Sequence, residues 1–196
     1  MTFIETIPEA EAEGAVAEVY ASERERLGRL PNFTQAFSLR PEVYTAWLEL
    51  NGAIKAGMDL RRYELATVAA ARRLRSSYCM LAHGTILAER FLGVDTVRDI
   101  AADPSSSGLD AVEVAVMGVA EKVAGDATAV TQDDVDRLRS LGLTDEDILG
   151  VVVAAAARCF FSKVLDGLGV APDREYRAID SRLRDALTVG RPIAQA

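Results

Sequence analysis

The amino-acid sequence predicts an all-α protein made of one domain. The 196 residues are rich in Ala, Val and Leu and contain few prolines and aromatic residues, a composition that favours helices over strands. Apolar residues recur at helical spacing along most of the chain. Short runs of β-branched residues, such as residues 151–153, lie inside that helical pattern. Because a chain of this length can bury a sizeable core, we expect residues 1–196 to form a single helical bundle.

The first sixty residues predict two helices joined by a short turn or helix. Apolar residues line one face of a helix over residues 11–27, which ends at Gly28. A short turn or helix through Phe33 and Phe37 follows. Pro41 is well placed to open the next helix, which is expected to run to Gly57.

Residues 59–92 predict a helical hairpin. Asp59 can cap its first helix, and Ser76 is a natural N-cap for its second, which should run from Ser77 to about Phe91 and end at Gly93. The chain therefore has to turn between the two helices, near residue 75.

The next part of the chain predicts three short elements around a loop. A capped segment covers residues 95–102, and residues 103–108 are the most loop-like stretch of the sequence. A helix over residues 109–123 follows, and Thr131 caps another helix that ends at Gly142.

The most apolar predicted helix covers residues 145–168. Thr144 and Asp147 have the spacing of a capping box at its start. Since it is apolar nearly all round over residues 148–157, we expect it to be the central buried helix, although that run is too short to span a bilayer. A final amphipathic helix over residues 173–187 and a frayed tail over 190–196 complete the prediction.

Charge and cysteine content limit the partners and the compartment. The net charge of −8 argues against nucleic acid or an anionic membrane as a partner, since either would require a basic face. The chain starts without a signal-peptide pattern, and its two cysteines are too few for a disulfide framework, so we expect a cytoplasmic protein. Helices this apolar in a small acidic chain also predict at least a homodimer.

Cys79 and His83 form the strongest chemical signal. His83 is the only histidine, and four residues separate it from Cys79, so both lie on one face of the predicted helix. With Ser76 as N-cap, Cys79 falls in the first turn, where the helix dipole favours a thiolate. Taken singly, each residue is more often structural, but together they indicate thiol chemistry with a proton acceptor at hand.

Glu64 is the third candidate of the site. It lies fifteen residues before Cys79, which on one continuous helix would separate the two by about 22 Å. A turn near Arg75 would return the second helix to the first, with a mismatch of about one helical turn between Glu64 and His83. A carboxylate between Tyr63 and Leu65 is a candidate for burial and would need a partner.

Metal binding is a weaker alternative. Glu64, Cys79, His83 and Cys159 are side chains of the types that bind zinc, but their spacing matches no common zinc pattern. We therefore expect no metal and no cofactor. Cys159 is expected in the core, and a role as resolving thiol would require it to come within disulfide reach of Cys79.

The residues Glu64, Ser76-Ser77-Tyr78-Cys79 and His83 resemble the motif of the alkylhydroperoxidase AhpD-like, carboxymuconolactone decarboxylase family, and most closely its peroxidase-related proteins. The segment 166–173 is similar as well. The resemblance implies an all-helical homo-oligomer with active sites near subunit contacts. It also implies that Cys79 attacks a hydroperoxide while Glu64 and His83 relay the proton.

The sequence departs from that family motif at two positions. Ser76 stands where the resolving cysteine is expected, and Tyr78 stands where some members carry a second relay histidine. A serine cannot form the disulfide, so an external thiol or Cys159 would have to restore Cys79.

Three functions remain open from the sequence. The first is thiol-dependent reduction of a small hydroperoxide through Cys79. The second is acid–base catalysis by Glu64 and His83 on a carboxylated lactone or a similar organic acid. The third is a helical oligomer that binds a ligand without catalysis.

Overall fold

A computed structural model gives the structure of residues 2–195, and within that range it contains helices and no β-strand. The all-α prediction is confirmed. The α-helices are α1 (Gly14–Leu27), α2 (Asn32–Ala36), α3 (Pro41–Ala56), α4 (Leu60–Arg73), α5 (Ser77–Leu87), α6 (Val94–Ala102), α7 (Ala111–Gly125), α8 (Gln132–Ser140), α9 (Asp145–Gly167) and α10 (Ser181–Leu187).

Helix α4 contains the longest unbroken run of buried residues in the described part of the chain. Each of its residues from 63 to 71 is buried, and it packs against α5, α7 and α9. Its alanines leave room for these neighbours to approach closely on every side. The expectation that α9 would be the central buried helix is therefore wrong in part. Helix α9 packs on α4 and α7, but its outer face leaves Leu149 and Phe160 exposed.

Local capping explains the helix boundaries. The Asp59 carboxylate accepts a hydrogen bond from the Arg62 amide at 2.9 Å, and reciprocal capping boxes start α8 at Thr131 and α9 at Thr144, all three as predicted. A further capping box at Asp110 starts α7 at Ala111, two residues later than predicted, because Asp110 takes the N-cap position.

Two predicted helices begin or end differently from expectation. The first begins at Gly14, since residues 9–11 form a separate 3₁₀ turn. Helix α5 continues through a π-helical turn, Ala88–Leu92, and stops at Gly93, whose positive φ of 79° permits the reversal into α6. The second helix of the predicted hairpin therefore has nearly the predicted extent, and its last turn is the wider π-helical one.

The C-terminal segment corrects two predictions. The expected helix over residues 173–187 is divided into a 3₁₀ turn, Arg174–Ala178, and α10. The division arises because Asp180 is the N-cap of α10, and its side chain accepts hydrogen bonds from the amides of Arg182 and Leu183. The expected frayed tail is packed over residues 190–195. The Gly190 amide donates to Ser77 Oγ at 2.7 Å, and Ile193 is buried. Residue 196 lies outside the described residues.

Helix α9 is long and apolar enough to cross a membrane when judged by length and composition alone. The apolar run over residues 148–157 is only part of this helix. In this structure α9 packs against α3, α4, α5, α7 and α8, as a core helix does, and it carries the buried charge of Arg158.

Candidate active site

The α4–α5 hairpin brings Glu64 and His83 into direct contact. The chain reverses at Arg75, whose φ is +56°, and Glu64 Oε2 then lies 2.6 Å from His83 Nδ1. Glu64 is 1% exposed and His83 is 9% exposed. The predicted return of Glu64 to this helix is confirmed. The expected mismatch of about one helical turn between Glu64 and His83 does not prevent this contact.

The surroundings fix the charge of this pair. Burial first, and then the charge of Arg158, lower the pKa of His83 to about 4, so the imidazole is neutral near pH 7. Burial opposes the charge on Glu64, but His83, Lys55 and Arg158 outweigh it and hold the Glu64 pKa below its usual value. Because an ionised carboxylate only accepts hydrogen bonds, Nδ1 of His83 carries the proton and Nε2 keeps a free lone pair.

The side chain of Cys79 contacts helix α9 and makes no hydrogen bond with His83. Its Sγ atom lies 3.1 Å from Ser162 Oγ and 3.6 Å from Arg158 Nη1. Residues 158 and 162 are one turn apart, so α9 presents both donors on one face. Sequence reasoning missed these two residues. The available signal was an arginine directly after the long apolar run of α9, where a charge has to find a partner.

Arg158 is held by a chain of contacts. Its Nη2 donates to the Tyr63 hydroxyl at 3.2 Å, and that hydroxyl donates to Asn51 Oδ1 at 2.6 Å. The guanidinium carbon lies 5.6 Å from the ring centres of Trp47 and of Phe161. These contacts immobilise the guanidinium beside the sulfur.

Cys79, His83 and Arg158 line one cavity of about 360 Å³. The walls are largely aromatic and include Phe33, Tyr44, Trp47, Phe161 and Tyr176. Such a mixture of an apolar wall with a few convergent polar groups is typical of small-molecule sites.

Ser76 lies at the start of α5, and Tyr78 bonds to the C-terminal segment. Ser76 occupies the N-cap position of α5 as predicted, which puts Cys79 in the first turn, but its hydroxyl makes no capping hydrogen bond. The Tyr78 hydroxyl donates to Asp173 at 2.6 Å, and Asp173 also pairs with Arg29. Burial and Asp173 raise the pKa of Tyr78 well above its usual value. Tyr78 therefore fixes α5 to the C-terminal segment.

Cys159 does not line the cavity with Cys79. It is a free, half-buried thiol that packs against the core, and burial raises its pKa. It follows Arg158 on α9 and so points about 100° away from the face that meets Cys79. The four residues considered as zinc ligands do not form one cluster. Within residues 2–195, no group of three His, Cys, Asp or Glu side chains is placed to hold a metal ion.

Comparison with known proteins gives a family match for the middle of the chain. The model of the carboxymuconolactone decarboxylase family matches residues 41–122, which include Glu64, Cys79 and His83 but neither Arg158 nor Ser162. An alkyl hydroperoxide reductase of Mycobacterium tuberculosis is 40% identical over 86 residues. That alignment covers 43% of this chain and only 25% of the relative, so the chain spans a quarter of that protein's length.

Solved structures share the fold along nearly the whole chain. The AhpD core of a peroxidase-related protein from Ralstonia eutropha has a TM-score of 0.80 and 21% identity, and the match covers 89% of this chain and 94% of that one. A peroxidase-related protein from Silicibacter has a TM-score of 0.67 and 20% identity, covering 90% and 91%. The debrominase Bmp8 has a TM-score of 0.71 and 15% identity, covering 93% and 96%.

The family resemblance of the sequence motif is therefore confirmed: the chain has the all-α AhpD-like fold, and its residues 41–122 match the model of the carboxymuconolactone decarboxylase family.

Proposed function

We propose that this protein reduces hydroperoxides with Cys79 as the attacking thiol and is restored by an external thiol. The observation that carries this proposal is that the Cys79 sulfur and the imidazole of His83 border one largely aromatic cavity. The name of the Mycobacterium relative, an alkyl hydroperoxide reductase, supports the same reaction class.

The reaction balances with the groups present in the cavity. Cys79 sulfur attacks the outer oxygen of the hydroperoxide, an S–O bond forms, and the O–O bond breaks. His83 Nε2 accepts a proton and passes it to the leaving oxygen, so that thiol and hydroperoxide give sulfenic acid and alcohol. Glu64 holds the imidazole through Nδ1 and stabilises its transient positive charge.

Restoration of the thiol requires a reductant from outside. Ser76 cannot form a disulfide, and Cys159 lies outside the cavity lining. A small thiol therefore condenses with the sulfenic acid, releasing water and leaving a mixed disulfide. A second thiol then frees Cys79 and leaves with the first as their disulfide.

Introducing a resolving cysteine tests the proposal. Ser76 and Cys79 occupy the N-cap and third helical positions of α5, the Cys-x-x-Cys spacing at which two sulfurs can reach each other. We expect Ser76→Cys to form a disulfide with Cys79 after one equivalent of hydroperoxide, detected by mass spectrometry, and to gain dithiol-dependent turnover. Ser77→Cys, which adds the same thiol one position further along, should not.

Cys79→Ser decides between this proposal and the acid–base alternative. That second function is favoured by the free Nε2 lone pair of a neutral His83 beside an ionised Glu64. If Ser76→Cys stays reduced while hydroperoxide remains, Cys79 is not the attacking thiol. A carboxylated lactone turned over equally by wild type and Cys79→Ser would then place the chemistry on Glu64 and His83.

A further inference from the structure

We infer that Arg158 and Ser162 of helix α9 are catalytic residues that hold Cys79 as a thiolate before any substrate binds. This inference deepens the proposed function, on which the use of the thiolate for peroxide reduction rests. It assigns part of the chemistry to a helix outside the region that matches the family model, residues 41–122.

The first step of the argument is the charge of Arg158. The side chain is 3% exposed, and within residues 2–195 no carboxylate forms an ion pair with it. Glu64 lies close enough for its charge to be felt, but it is already bonded to His83 and approached by Lys55. A buried cation without an anionic partner is strongly unfavourable.

The second step is the identity of the groups that surround the guanidinium. Its two terminal nitrogens donate to the Tyr63 hydroxyl and to Cys79 Sγ, and its Nε has no hydrogen-bond partner in the described part of the chain. Of these two acceptors, the sulfur can become an anion most readily. A thiolate at Cys79 would therefore supply the negative charge that Arg158 lacks.

The third step is the rigidity of this arrangement. The Tyr63 hydroxyl accepts from Arg158 and donates to Asn51, which fixes the direction of the hydrogen bond. The rings of Trp47 and Phe161 lie beside the guanidinium. The guanidinium therefore cannot turn towards solvent without breaking these contacts. The fold itself keeps its positive charge beside the Cys79 sulfur.

The fourth step is the second donor. Ser162 is fully buried, and its hydroxyl lies 3.1 Å from the same sulfur. Two donors from one helix face thus converge on Sγ, and a thiolate accepts both better than a thiol does. With the thiolate present at rest, thiolate and hydroperoxide give sulfenate and alcohol. The proton that reaches the leaving oxygen through His83 is the one the hydroperoxide brought.

The pH dependence of Cys79 alkylation tests this inference without peroxide. Iodoacetamide reacts with thiolates, so its rate from about pH 6 to about pH 9 follows the thiolate fraction. All variants would carry Cys159→Ser so that Cys79 is the only thiol. We compare Arg158→Met, Arg158→Lys and Ser162→Ala, with Lys163→Met as the control that removes an exposed cation from the same helix.

We expect Arg158→Met to slow alkylation at pH 7 by about ten- to a hundredfold, the effect of losing a hydrogen bond to a charged group. Its pH dependence should move to higher pH. Arg158→Lys should recover part of the rate, Ser162→Ala should lose severalfold, and Lys163→Met should match the parent. A rescue by lysine would not arise if Arg158 only filled space.

An Arg158→Met variant that keeps its helical circular dichroism and has the parental pH dependence would overturn the inference. If that variant fails to fold, Arg158→Lys and Ser162→Ala decide, and parental behaviour in both would overturn it equally. Because alkylation uses no hydroperoxide, a shifted profile in a protein that leaves hydroperoxide untouched would uphold the inference and reject the proposed function.

Discussion

Burial sets the protonation of the single histidine. His83 is surrounded by α4, by the aromatic cavity wall and by the charge of Arg158, and these together favour its neutral form. Glu64 keeps the imidazole in one tautomer without giving it a charge. The result is an acceptor nitrogen that is available over the whole neutral pH range, as the proposed proton relay requires.

The lowered pKa of His83 predicts a pH-dependent stability. Its folded value of about 4 lies below the ordinary value of 6.5, so between these limits the unfolded chain binds a proton that the native protein does not. The free energy of unfolding should therefore decrease on acidification through this window, by an amount on the order of 3 kcal/mol. Urea titrations at several pH values measure it.

His83→Gln provides the comparison for that measurement. Glutamine can still donate to Glu64 but does not titrate, so the variant should lose less stability than wild type between pH 6.5 and 4. The lowered pKa of Glu64 acts in the same direction at the acid end. Parallel pH profiles for the two proteins would mean that folding does not lower the pKa of His83.

The site could be predicted from sequence only as far as local spacing reaches. Cys79 and His83 share one helix, and the Ser76 helix start fixes the reversal that returns Glu64. The contact between Cys79 and Arg158 joins residues 79 positions apart, and no periodicity indicates which face of α9 will meet α5. The same limit applies to Tyr78, whose partner Asp173 lies 95 positions away.

At the level of helices, α5 is held in place by the C-terminal segment. Ser77 accepts a hydrogen bond from the Gly190 amide, Tyr78 donates to Asp173, and Gly84 faces Leu187 of α10. The first two contacts lie on the first turn of α5 and the third lies about two turns further along. They orient the helix so that Cys79 meets α9 and His83 meets α4.

The close approach of α5 and α10 predicts the effect of a methyl group at Gly84. An alanine Cβ there would lie 2.7 Å from Leu187 Cδ2, and Leu187 is fully buried. We expect Gly84→Ala to lower the free energy of unfolding by about 1–3 kcal/mol, because the strain exceeds the gain in helix propensity. Thermal or urea unfolding measures the change.

Gly118→Ala is the matched control on α7. A Cβ at Gly118 meets nothing within 4 Å, so alanine should stabilise the protein by up to about 1 kcal/mol. If both substitutions stabilised the protein equally, α10 would not be seated firmly on α5.

The helix boundaries that followed from the sequence are those fixed by local chemistry. Asp59, Thr131 and Thr144 bond to amides of their own first turns, so their signals are complete within four residues. The helix predicted over residues 173–187 failed because Asp173 is engaged by Tyr78 and Arg29, while Asp180 starts a new helix. The contacts of Asp173 with Tyr78 and Arg29 join residues far apart in the sequence, so local spacing does not indicate them.

At the level of the whole molecule, the outer face of α9 carries exposed apolar residues. Leu149, Ala156 and Phe160 are exposed and follow each other at spacings of seven and four residues, so they form one stripe along the helix. An apolar stripe on an otherwise acidic surface is typical of an interface. We propose that this stripe is covered by a second copy of the chain.

Leu149→Glu tests that assembly. We expect light scattering to give wild-type particles of at least twice the chain mass of 21.1 kDa at micromolar concentration. A buried charge at an interface costs several kcal/mol, so Leu149→Glu should shift the protein towards single chains. Leu39→Glu is the matched control, because Leu39 is 56% exposed against 62% for Leu149 but lies away from the α9 stripe in sequence. Wild-type particles of a single chain mass would contradict the proposal of an oligomer, and equal dissociation by both variants would contradict the assignment of the contact to α9.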